Sequence, residues 1–165
     1  MRQIVLIAHD IRSTHNVGSL VRTAECLGVA HIYLTGYTPY PTAPNDPRLP
    51  YIYEKISKQI HKTALGAEDS VAWEHADDVQ DVIATLRSQG FTIAALEQAP
   101  ESTAISAWMP PDKIAILLGR EVEGIDPALL GACDDIIEIP QFGKKESLNV
   151  VQAAAIAMYH CRTSV

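Results

Sequence analysis

Three clusters in the chain combine residue types that bind or turn over a ligand. The first is Asn16-Val17-Gly18, running into Arg22-Thr23-Ala24. A guanidinium can hold a phosphate or stabilise developing negative charge. Asn16 can cap a helix, and Gly18 allows close backbone approach. An arginine near a helix start is equally an ordinary solvated side chain. The second cluster is Gly119-Arg120-Glu121-Val122-Glu123-Gly124, directly after the apolar run 114–118. Two glycines five apart after a strand signal a tight turn with backbone donors turned to a ligand, or a plain strand-to-helix turn. The third is Ile139-Pro140, a polar loop, and then Ser147-Leu148-Asn149-Val150. Ser147 is a sound helix N-cap, whereas Asn149 is not favoured in a first helical turn by propensity alone.

Other chemistries leave weaker traces or none. The sequence has no G-x-G-x-x-G after its first strand, no Walker lysine loop and no G-x-S-x-G elbow. His9 and His15 flank Asp10, which invites a hydrolase or metal reading. No third ligand stands at helical spacing, so surface-loop histidines are the plainer account and no metal is expected. Cys26, Cys133 and Cys161 are an odd number without C-x-x-C spacing, which argues for free thiols in a reduced, cytoplasmic protein.

The 165 residues suit one domain, or at most two small ones, and 47% hydrophobic composition rules out wholesale disorder. Net charge is −7, which argues against positive charge spread over the whole surface but leaves room for a local basic patch. The apolar run 4–8 is too short for a signal-peptide core, and no stretch approaches the ~20 residues of a membrane span.

The elements that must position the clusters alternate along the chain. Strands are expected at 4–8, 31–34, 70–73, 91–96, 114–118 and 136–139. Helices are expected at 16–27, 51–61, 77–89, 126–133 and 148–161, and 104–108 is ambiguous. Five prolines between 38 and 50 forbid a regular helix or central strand there. This alternation predicts an α/β domain on a mostly parallel sheet with helices on both faces. Ligands in such folds sit at the carboxyl ends of strands, which singles out loops 9–16, 97–103, 119–126 and 140–147.

Taken together, in this order, the clusters resemble the three motifs of the SpoU (TrmH-like) branch of the SPOUT RNA methyltransferases. They read N-x-G-x-x-x-R-T-A at 16–24, G-x-E-x-x-G at 119–124, and I-P followed by S-L-N-V at 139–150. Lys62-Thr63-Ala64-Leu65-Gly66-Ala67-Glu68, with Trp73 after it, also resembles this branch. Gln141 and Val151 stand where the family pattern often has methionine and serine. The resemblance covers essentially the whole chain, and residues 1–165 are expected to form a single, stand-alone catalytic domain.

The resemblance implies a C-terminal deep trefoil knot whose loops hold S-adenosylmethionine, with Leu96, Leu118, Gly119, Gly124, Ile139 and Leu148 around the cofactor. It implies methyl transfer to a ribose 2′-hydroxyl of tRNA or rRNA, with Arg22, Asn16, Glu121, Ser147 and Asn149 as catalytic residues. It also implies a homodimer in which Arg22 of one chain completes the partner's site, with helix 148–161 supplying part of the interface. Arg12, Lys62, Arg120 and Lys144 are the expected RNA contacts, in a patch that also takes in Arg22, Arg48, Lys55, Lys58 and Lys145. The acids lie mainly at 68–81 and 134–138. Two other readings stay open: a non-catalytic RNA- or cofactor-binding module, and a methyltransferase acting on a base or small molecule.

Overall fold

The computed structural model describes residues 1–164. Among these, seven strands make one sheet: β1 (Gln3–His9), β2 (His31–Thr35), β3 (Trp73–Ala76), β4 (Thr92–Leu96), β5 (Thr103–Ala104), β6 (Lys113–Leu118) and β7 (Asp135–Glu138). The order is β3-β2-β1-β6-β4-β7-β5, and every pairing is parallel. The helices are α1 (Thr14–Cys26), α2 (Pro50–Ala64), α3 (Val79–Ser88), α4 (Pro127–Leu130) and α5 (Val150–Thr163).

The strands are apolar on both faces because both faces are covered. Ile4, Leu6 and Ala8 of β1 pack with Val17, Leu20 and Val21 of α1, Ile60 of α2, and Ala154 and Met158 of α5. Val5 and Ile7 point the other way, to Val82, Ile83 and Leu86 of α3 and Leu129 of α4. Each large aliphatic side chain buried this way contributes about 1.5–3 kcal/mol. The mostly parallel sheet with helices on both faces is therefore as the sequence predicts.

Several boundaries differ from expectation, each for a local reason. Helix α1 begins two residues early, because Ser13 rather than Asn16 is its cap: the Ser13 side chain accepts from the Asn16 backbone N–H. Helix α5 begins at Val150, and Asn149 rather than Ser147 caps it by accepting from the Val151 N–H at 2.8 Å. Strand β3 lies three residues later than expected because a single 3-10 turn, Ala67–Asp69, uses the chain before it. Helix α4 is one turn only, and β5, Thr103–Ala104, takes just one residue of the ambiguous region.

Gly18 sits where α1 crosses α2. A Cβ there would overlap the Ile60 carbonyl and the Thr63 hydroxyl, so the close approach expected of Gly18 is helix to helix. The Thr63 hydroxyl completes the junction by donating to the His15 carbonyl at 2.9 Å. The proline-rich loop is pinned by Arg48, which lies 3.5 Å over the Tyr40 ring, donates to the Tyr40 and Pro41 carbonyls and pairs with Asp46.

Candidate active site

Strand β4 lies between β6 and β7, so the loops leaving their carboxyl ends converge. They enclose a cleft of about 160 Å³. Leu96, Leu118, Gly119, Gly124, Ile139 and Leu148, the six residues expected around a cofactor, all line it. The turn after β6 is pinched shut by two backbone bonds, Arg120 N–H to Gly124 O at 3.3 Å and Gly124 N–H to Arg120 O at 3.1 Å. Gly119 presses on this turn so closely that a Cβ would sit 2.7 Å from the Gly124 carbonyl carbon and 2.5 Å from the Ile125 side chain. Gly119 is therefore dictated by close approach to the backbone of Gly124, and Gly124 by its left-handed conformation at φ +72°.

Glu121 joins this turn to the start of α1. Its carboxylate accepts from the backbone N–H groups of Arg12 (3.2 Å) and Ser13 (3.1 Å) and from the Asn16 amide (3.3 Å). A carboxylate at a helix N-terminus meets unpaired donors and the positive end of the helix dipole. Burial pushes the Glu121 carboxyl up, but these donors outweigh it and hold it below its ordinary range. The Asn16 carbonyl oxygen in turn accepts from the Asn149 amide at 3.4 Å, across 133 residues of sequence. One chain of hydrogen bonds thus links a polar residue from each of the three sequence clusters. A second groove of about 360 Å³ runs between Arg12, Ser13 and Asn16 on one side and residues 121–123 on the other.

Of the other expected site residues, Ser147 and Arg120 line the first cleft. Arg12 lies beside the second groove and pairs with Glu123 at 2.8 Å. Lys144 is exposed on the loop before α5, and Lys62 is exposed on α2 away from either lining. Arg48 leaves the basic patch, because its charge is spent on Asp46 and the Tyr40 ring. Arg22 is exposed and faces elsewhere. It borders a mainly apolar groove of about 740 Å³ with Cys26, Ile105, Ile156 and Tyr159. Six residues along a helix amount to about 9 Å, so Arg22 stands well apart from Asn16 within one chain.

His9 bonds Thr35 at 3.0 Å and lies 3.4 Å from Asp10; burial lowers its pKa, partly offset by Asp10. Among the described residues, no three His, Cys, Asp or Glu side chains group to hold a metal, and no helix is long and apolar enough to cross a membrane. Sequence reasoning singles out the loop 97–103 but gives Glu97 and Gln98 no role of their own. Both line the cleft, and their only signal was position, directly after an apolar strand.

Comparison with known proteins fits this geometry. The sequence model of the SpoU rRNA Methylase family matches residues 3–159. The tRNA (guanosine(18)-2′-O)-methyltransferase of Borreliella burgdorferi is 26% identical over 94% of this chain and 64% of its own length. The 23S rRNA (guanosine-2′-O-)-methyltransferase RlmB of Neisseria meningitidis serogroup B is 26% identical over 96% and 58%. The chain thus spans about 60% of the length of these relatives. The AdoMet-bound rRNA methyltransferase of Sinorhizobium meliloti shares the fold with a TM-score of 0.80, at 23% identity, over 97% of this chain and 56% of that one. By the match along nearly its whole length, the chain belongs to the SpoU rRNA methylase family.

Proposed function

We propose that this chain transfers the methyl group of S-adenosylmethionine to a ribose 2′-hydroxyl of tRNA or rRNA, as a homodimer with sites shared between subunits. The observation that carries the reading is the Glu121–Asn16–Asn149 linkage at the rim of the cleft. It ties together residues 105 and 133 positions apart in sequence, an arrangement that packing of the core does not require.

The lining suits the cofactor. Leu96, Leu118, Ile139 and Leu148 offer apolar walls to an adenine, and the turns offer backbone groups to its edge. Glu97, Glu121 and Glu138 are also in the lining, with Arg120 the one cation among its residues. Such a lining favours a cationic sulfonium over a polyphosphate. When bound, the cofactor supplies a methyl group already activated by the sulfonium, so positioning for in-line attack provides much of the rate.

The chain's own residues provide that positioning. Glu121 fixes the start of α1, Asn16 takes its orientation from Glu121, and Asn149 is held both by Asn16 and by its capping bond to Val151. A ribose hydroxyl must lose its proton as it attacks. A guanidinium has no acceptor site, so Arg22 serves by stabilising the forming alkoxide and holding an adjacent phosphate. Its distance from the cleft of its own chain supports delivery to the partner's cleft, and the apolar groove beside it is a suitable seat for the second subunit. The family's trefoil knot draws the segment after β7 through the turn after β6; the shared cleft of these segments supports that path.

The test is methyl transfer from labelled S-adenosylmethionine to total RNA from a strain lacking the gene, followed by digestion to nucleosides. Label is expected in a 2′-O-methyl nucleoside and lost in Arg22→Ala and in Asn149→Ala. Mixing and reassociating these two dead variants is expected to restore about a quarter of wild-type activity, because about half the dimers are mixed and each carries one intact site. Absence of label in a preparation that binds the cofactor refutes RNA ribose methylation. Absence of rescue refutes the shared site.

A further inference from the structure

We propose that Glu97 and Gln98 are positioning residues that hold the cofactor cleft in shape by clamping its two opposite walls. The proposal rests on the reading of the cleft as a cofactor site. The sheet order makes it possible. Because β4 lies between β6 and β7, the first residues beyond β4 are within reach of both the 119–125 turn and the 139–149 segment. The Glu97 backbone N–H first anchors the pair to β7, donating to the Ile137 carbonyl at 3.0 Å.

From that anchor the two side chains diverge. One carboxylate oxygen of Glu97 accepts from the Ile125 backbone N–H at 2.9 Å, and the other accepts from the Gln98 N–H at 2.9 Å. Ile125 is only 5% exposed, so without Glu97 its N–H loses its protein partner in a largely dry place, where an unmet donor is costly. The carboxylate also fills the space beside Gly124: a Cβ at Gly124, which has φ +72°, would overlap a Glu97 oxygen. Gly124 is thus glycine for its backbone conformation and for the carboxylate packed on it. On the other wall, the Gln98 side-chain amide donates to the Glu146 carbonyl at 3.0 Å, next to Ser147 and Leu148 of the lining. Few other protein bonds hold the 139–149 segment, whose residues 142–149 are exposed. Its placement therefore depends on this tether more than a core segment would.

A residue that shapes the cofactor wall must act on cofactor affinity and leave RNA recognition alone. The full-length wild type, Glu97→Gln, Glu97→Ala, Gln98→Ala, Gly124→Ala and the Glu97→Ala/Gly124→Ala double variant are compared by calorimetric S-adenosylmethionine binding, steady-state kinetics and thermal melting. Glu97→Ala is expected to weaken cofactor binding and raise its KM about tenfold, with KM for RNA unchanged and kcat at saturating cofactor within about threefold. Glu97→Gln keeps one acceptor for Ile125 and recovers most of that loss. Gln98→Ala weakens cofactor binding about threefold, and it carries the test should Glu97→Ala fail to fold. Gly124→Ala is expected to cost less in the Glu97→Ala background than in wild type, because its steric partner is gone. Wild-type cofactor affinity in Glu97→Ala and Gln98→Ala, or parallel losses in cofactor KM, RNA KM and kcat, overturns the clamp alone. Failure of the wild type to bind S-adenosylmethionine overturns both the clamp and the function on which it rests.

Discussion

Replacing Glu121 by glutamine removes one negative charge while keeping the side chain's shape, and the structure sets the size of the effect. The carboxylate serves three donors, two on the oxygen facing Ser13 and Asn16 and one on the oxygen facing Arg12. Glutamine's amide oxygen can keep the first two, but its NH₂ group then confronts the Arg12 N–H, losing one bond to a charged acceptor. The lengths of 3.1–3.3 Å are at the long end of the normal range, and the site is partly wet, so that loss is about 1 kcal/mol. The missing charge at the α1 N-terminus adds about 0.5 kcal/mol. The sum, about 1.5 kcal/mol, lowers Tm by roughly 3–6 °C for a chain of this size. The pH dependence follows from the direction of the Glu121 shift. Its folded-state carboxyl lies below the ordinary range, so the stabilisation is complete above the unfolded value of about 4.3 and is lost as pH falls through the lower folded value. Melting curves of wild type and Glu121→Gln should therefore differ fully at pH 7 and converge on acidification below about pH 4. A gap that persists unchanged into acid, or no gap at pH 7, refutes the reasoning.

Gly18→Ala gains about 1 kcal/mol of helix propensity, but its methyl meets the Ile60 carbonyl, which has no rotamer to escape into, and displaces the Thr63 hydroxyl. A net loss of about 2 kcal/mol is expected, read as a lower urea midpoint; an unchanged midpoint would mean that α1 and α2 separate freely. Asn149→Ala should lose about 1 kcal/mol with the α5 cap. Asn149→Asp keeps the capping oxygen and wild-type stability, yet loses the donor to Asn16 and about a hundredfold in methyl transfer; equal instability of both variants contradicts the division of roles. Burial pushes the Cys133 and Cys161 thiols up to about 11, whereas Cys26 is exposed. A disulfide reagent at pH 8 should therefore modify Cys26 before the other two in the single subunit, and more slowly in the proposed dimer, which covers the groove that Cys26 borders; the expectation is contradicted if all three react together in the native protein.

The fold was legible where burial imposed a simple pattern. Strands β1, β4 and β6 are short apolar runs because helices cover both their faces, and the prolines of 39–50 did exclude regular structure as far as α2, which Pro50 begins. Legibility failed where the deciding partner is remote. Ser13 and Asn16 are both acceptable caps, and so are Ser147 and Asn149; which one leaves the helix is set by Glu121 and by the path of the loop over the cleft, neither visible locally. Arg48 reads as a free cation in composition, while Asp46 and Tyr40 take its charge and its face. In the site, Gly119, Gly124, Ile139 and Leu148 of the cleft lining, with Asn16, Glu121 and Asn149, were readable because the three motifs carry them, and Leu96 and Leu118 because they end apolar strands. The role of Glu97 within the loop 97–103 was not, since it depends on an N–H 28 residues away.

The parallel pairing of β1 with β6 aligns Gln3–Ala8 with Lys113–Leu118, and it has a consequence for how the chain is made. Of the strands in this sheet β1 is made first, yet one whole side of it waits for a neighbour about 110 residues behind. At ordinary synthesis rates of about 5–20 residues per second, that interval is roughly ten seconds. Throughout it, the apolar Ile4–Ala8 run has a bare hydrogen-bonding edge, and only β2 can cover the other side. Slow, long-range closure of this kind makes nascent chains prone to pairing with each other. Yield in the cell should therefore depend on chaperone supply and growth temperature more steeply than the stability of the finished molecule would suggest.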